Sequence, residues 1–96
     1  MSVTFWFEEY KSDRHEITVA NSRAEWLLYL AEVQYRVDPI AGSLNPTDLA
    51  VLVYNLEAFI LSHPDDHDLA FKIHYLIIFA RLLGFAEGMG FNLKYG

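Results

Sequence analysis

Cysteine is missing from this chain. Disulfides, a thiol nucleophile and cysteine-ligated zinc are therefore excluded, and a reducing, cytoplasmic setting is the expectation. Basic residues are scarce. Seven Lys and Arg face thirteen Asp and Glu, for a formal net charge of −6. Lys11, Arg14, Arg23, Arg36, Lys72, Arg81 and Lys94 are scattered, with no two adjacent. Direct nucleic-acid binding by phosphate neutralisation is not expected of such a chain. An acidic balance instead suits a basic partner surface.

Targeting and membrane signals are also thin. The segment MSVTFWFEEYK has no basic stretch followed by a long apolar one, so no secretory leader is expected. In the most apolar region the longest uncharged run, Ile73 to Ala80, ends at Arg81. That falls short of the roughly 18 apolar residues of a bilayer span, so a buried helix is expected and a membrane is not.

Catalytic patterns are absent as well. Ser2, Ser12, Ser22, Ser43 and Ser62 sit in no G-x-S-x-G elbow. Gly84, Gly88 and Gly90 follow a helical stretch rather than a strand, which makes no phosphate cradle. Glu8 and Glu9 are neighbours on a strand and point to opposite faces. No acid, base and oxyanion donor assemble, so neither catalysis nor a cofactor is expected.

What the chain does have is apolar surface, 53% hydrophobic and 16% aromatic. Such a composition is too apolar for disorder. Residues 1–96 suit one compact domain, and the apolar excess over one small core points to a homodimer.

Residues 3–10 alternate, Val3, Phe5 and Phe7 against Thr4, Trp6 and Glu8, the period of a half-buried strand. KSDR at 11–14 reads as a turn and residues 15–20 as a second strand, completing a hairpin. Phe5, Phe7, Ile17 and Val19 then face the core, and Trp6 lies on the other face near Thr18, Glu8 and Glu16. Ser22-x-x-Glu25 has the form of a capping box for a first helix over 23–36. Its buried side is Trp26, Leu30, Val33 and Val37, and Glu32 and Arg36 are spaced for an ion pair. DPIAGSLNP, 38–46, reads as a linker. Asn45 and Pro46 open a second helix that runs to Ser62, with Leu49, Leu52, Val53, Leu56 and Ile60 inward.

His63-Pro64 separates it from a third helix over 65–85, around which the chain is organised. Leu69, Ile73, Leu76, Ile77, Ala80 and Leu83 line one face, and Phe71, Tyr75, Ile78, Phe79 and Leu82 cover most of the rest. A helix apolar nearly all round belongs inside a protein or at an interface. The tail alternates again, Phe91, Leu93 and Tyr95 against Asn92 and Lys94, as a third strand. The order β-β-α-α-α-β specifies an α+β domain, with three helices packed on one face of a small three-stranded antiparallel sheet.

Three groups of residues bear on function. Trp6, Glu8 and Glu16, with Asp65 and Asp66, make an acidic and aromatic surface for a protein partner. His67, His74 and Arg81 stand seven apart on one helical stripe, an anion or ligand site if they converge. In that reading Phe5, Phe7, Trp26 and Phe71 wall a pocket between helices and sheet. His63, Asp65, Asp66, His67 and Asp68 are potential metal ligands, but they fit no standard motif, and no metal site is expected. The expected function is that of a small acidic non-catalytic protein that binds a macromolecule, of inhibitor, immunity or antagonist type.

Overall fold

The structure is a computed structural model that describes every residue from Met1 to Gly96. Its strands are β1 (Ser2–Trp6), β2 (Ile17–Ala20), β3 (Gly42–Leu44) and β4 (Leu93–Tyr95), and its helices are α1 (Asn21–Leu30), α2 (Pro46–Ser62) and α3 (Leu69–Met89). All pairings are antiparallel, in the spatial order β2-β1-β4-β3. The fold is α+β with three helices, as expected, but the sheet has four strands rather than three. The extra strand lies inside the stretch read as a linker, where Gly42, Ser43 and Leu44 pair with Tyr95, Lys94 and Leu93. A three-residue strand with one apolar side chain leaves no alternation to detect.

Alternation within β1, β2 and β4 sorts their side chains cleanly. Val3, Phe5, Val19, Leu44, Leu93 and Tyr95 are buried on one face. The Phe5 ring meets Phe79 of α3 edge-on, with centroids 5.2 Å apart. Thr4, Trp6, Thr18, Ser43 and Lys94 occupy the opposite face. The first hairpin is shorter than its pattern implied. β1 stops at Trp6, Phe7 bridges to Tyr10, and Asp13–His15 form a 3-10 turn whose start is capped by the Ser12 hydroxyl.

The first helix departs furthest from expectation. The chain passes from β2 into α1 without a break, so Ser22 falls inside the first turn and no side chain caps the helix. It ends at Leu30, not Arg36. Glu32 takes a left-handed φ of 60° there, which turns the chain away. Asn55 Nδ2 of α2 donates to the Leu30 carbonyl at 2.7 Å and to Glu32 Oε2 at 3.1 Å. The buried face is Ala24, Leu27, Leu28 and Leu30. Val37 is exposed, and Glu32 bonds Asn55 instead of Arg36. By contrast, α2 begins and ends where its signals put it. The Asn45 side chain accepts from the Asp48 amide at 2.7 Å while Asp48 accepts from the Asn45 amide at 3.2 Å, a reciprocal cap.

α3 has the expected length, 21 residues, but is displaced toward the C-terminus, from 65–85 to Leu69–Met89. Gly84 and Gly88 lie within it, and Gly90, at φ 72°, is the residue that ends it. Tyr75, Phe79, Leu82 and Ala86 are its buried residues. The core side is thus drawn from the second apolar set, while Ile73, Ile77 and Ala80 of the first set are exposed. The expectation of a buried helix therefore holds for one side of α3 only. One helix can turn only one side to a small sheet, and α1 and α2 do not reach the other.

Candidate partner-binding surfaces

The outer face of the sheet is covered by no helix. Thr4 and Thr18, opposite each other in register, share a hydroxyl hydrogen bond of 2.8 Å. Trp6 is half-buried and lies beside Gly96 and Ala41 at the end of β4. Lys94 is 4.0 Å from the exposed Glu8 carboxylate. Where β1 meets the 3-10 turn, a cleft of about 230 Å³ opens between Trp6, Tyr10, Lys11, His15 and Glu16. Trp6 and Glu16, from the two arms of the first hairpin, therefore line one recess.

His15 was not singled out by its sequence context. Its ring is held between Phe85, at 4.5 Å between centroids, and the edge-on Tyr10, at 5.4 Å. Its Nδ1 is buried without a hydrogen-bond partner. No local signal marks it, because its neighbours come from the loop after β1 and from α3.

The aspartates at the head of α3 divide by role. Asp65 is exposed. Asp66 is enclosed: Oδ2 accepts from Lys72 Nζ at 2.7 Å and Oδ1 from the Asp68 amide at 2.7 Å. Those bonds, the Lys72 one first, hold its carboxyl below the usual carboxylate range. Lys72 also lies 4.8 Å from the Phe59 ring centre and 5.1 Å from that of Trp26. Arg23 lies 4.8 Å from Phe71 and reaches Asp68 at 3.5 Å. These cations fasten α1, α2 and the head of α3 together.

His67, His74 and Arg81 do not converge. His67 precedes α3, so it is not on the helical stripe, and its side chain is 92% exposed. His74 is exposed on α3, and Arg81 donates to the Arg14 carbonyl at 3.5 Å, tying the helix to the 3-10 turn. None of the three lines the four principal clefts, and Phe5 and Phe7 are fully buried core residues. The largest cleft, about 660 Å³, is an open groove between the end of α1 with the segment that follows it (Tyr29, Val33, Tyr35) and α2 (Asn55, Phe59). His63 stacks on Phe59 at 4.0 Å, and no three potential ligands are grouped to hold a metal ion.

The second uncovered surface is the outside of the helical layer. Ile73 and Ile77 on α3 are 41% and 57% exposed, and Tyr54 and Leu61 on α2 are 72% and 76% exposed. Over its most apolar 18-residue window α3 has a mean hydropathy of 1.6, and only 22% of that window is buried. By length and composition alone it could cross a bilayer, yet here it carries one wall of the core. Comparison with protein-family models, curated proteins and solved structures gave no match.

Proposed function

We propose that this chain is a small acidic, non-catalytic protein of inhibitor, immunity or antagonist type. It acts by binding another protein, and the outer face of its sheet receives a basic side chain of that partner. The observation that supports this reading is the cleft that brings Trp6 and Glu16 together. An arginine or lysine there gains the face of an indole and the charge of a carboxylate. Each contributes about 0.5–1 kcal/mol at a solvated site. Lys11 at the same cleft and Lys94 beside Glu8 set the polarity of approach. A partner carboxylate pairs with these lysines while its cation enters beside Glu16. Exposed Asp65 adds to the acidic field that steers such a partner, whereas Asp66 is engaged by Lys72.

The test is a titration of ¹⁵N-labelled protein with short peptides rich in arginine or in glutamate. Arginine peptides move the Trp6 indole resonance, and Glu16→Gln weakens them roughly fivefold, the equivalent of about 1 kcal/mol. An indole signal that ignores both peptides, or that prefers the acidic one, overturns the assignment.

A further inference from the structure

The outward side of α3 carries a pattern that the folded chain itself does not use. Leu69, Ile73, Ile77, Ala80, Gly84 and Gly88 fall on one stripe opposite the buried Tyr75, Phe79, Leu82 and Ala86. All but the half-buried Leu69 are exposed. Glu87, about five turns from Leu69 and exposed at the edge of the stripe, is the one charge in that sector. The first half of the stripe is bulky and its second half is small.

The glycines are the telling part. Both lie within a helix, where each is less favourable than alanine. Yet a Cβ built on Gly84 or Gly88 would meet nothing within 4 Å. Packing inside the monomer therefore gives no reason for either. Close approach of another backbone does.

We propose that the outer face of α3, extended by Tyr54 and Leu61 of α2, is the contact surface for a second copy of this chain. The two α3 helices run antiparallel about a two-fold axis at the level between Ile78 and Phe79. That symmetry sets Leu69 against Gly88, Ile73 against Gly84 and Ile77 against Ala80, each with a large side chain over a small one and each occurring twice. A two-fold contact requires such a self-complementary patch, and this stripe has the spacing and the sizes to be one. Two helices about 30 Å long and about 10 Å apart present a face of roughly 600 Å² per copy. That meets the lower limit of a specific interface, about 1,200 Å² in total. A protein fits better than a lipid surface, because a net charge of −6 repels anionic headgroups. The dimer is built back to back, so both outer sheet faces remain free.

Sedimentation velocity from about 1 µM to about 500 µM tests this, in the concentration range expected of an interface this small. The mass rises toward about 22 kDa, twice the 11.1 kDa of one chain. Gly84→Leu shifts the protein to monomer with its circular dichroism unchanged. Adding Ile73→Ala to Gly84→Leu restores the dimer, because the exchange rebuilds the same pair from the other side. Since the chain has no cysteine of its own, an equimolar mixture of the Ile77→Cys and Ala80→Cys variants forms the mixed disulfide in preference to either homodimer. A monomer at the highest concentration overturns the proposal. So does a dimer indifferent to Gly84→Leu, or co-sedimentation with phosphatidylcholine–phosphatidylglycerol vesicles in place of dimerisation. None of these readouts involves the Trp6 cleft, so failure here leaves the partner-binding reading standing, and the reverse also holds.

Discussion

Lys72 Nζ lies 2.7 Å from Asp66 Oδ2, and the pair is enclosed, with side-chain exposures of 14% and 13%. The same ammonium faces the rings of Phe59 and Trp26. One cation thus links the head of α3 to the end of α2 and to α1. Asp66 therefore belongs to the framework of the fold, although its neighbours in sequence suggest a surface acid.

That pair makes the protein sensitive to acid in a defined way. The folded-state pKa of Asp66 is depressed, first by the Lys72 hydrogen bond and then by the Asp68 amide. Its contribution to stability is present above the ordinary value of 3.8 and is lost as pH falls through the lower folded value. Asp66→Asn should lower the melting temperature at pH 7, and the gap to the parent should close as both are taken to pH ~2. Thermal melts across that range decide it. A gap that persists in strong acid would show that the carboxylate charge is not what matters.

Asn55 should prove the main latch at the end of α1. Its amide satisfies the Leu30 carbonyl at 2.7 Å, one of the last carbonyls of α1, which have no partner within the helix. Asn55→Ala should destabilise by about 1–2 kcal/mol in urea unfolding. Glu32→Ala should cost less, since Asn55 retains the carbonyl. Equal losses from the two would place the latch in the side-chain pair instead.

At the other edge of the sheet, Gly42 gives room to Tyr95. A Cβ on Gly42 would stand 2.5 Å from the Tyr95 hydroxyl and 2.8 Å from its ring carbon Cζ, so Gly42→Ala should force Tyr95 out and cost about 1–3 kcal/mol. Burial, and then the negative charge of Asp48, raise the Tyr95 pKa above 10.0. A raised value means that the stability it supports is full below pH 10.0 and declines as pH climbs toward the folded value. Tyr95→Phe should flatten that alkaline decline in chemical-denaturation curves. An unchanged slope would mean that another group governs it.

How far each element could be read from residues alone follows from where its signal resides. The start of α2 is legible because Asn45, Pro46 and Asp48 act within four consecutive residues, and the cap closes as their chemistry requires. The tail strand is legible because alternation at Leu93 and Tyr95 survives in the burial pattern. The third strand is not, because Gly42–Leu44 owe their pairing to β4, which lies far away in the chain. The end of α1 is not, because Asn55, on a different helix, takes the Leu30 carbonyl. The cleft at Trp6 is legible only in part. Trp6 and Glu16 follow from strand alternation, but Tyr10 and His15 arrive through the 3-10 turn and are packed by Phe85.

Composition and local pattern by themselves determined the class of this protein: α+β, acidic, without cysteine, and richer in apolar residues than one small core can hide. Tertiary structure alone decided which side of α3 is hidden. Apolar residues surround that helix, so its sequence contains no preferred direction. The side that meets Phe5 of the sheet became core, and the side bearing Ile73, Ile77 and Gly84 was left facing outward.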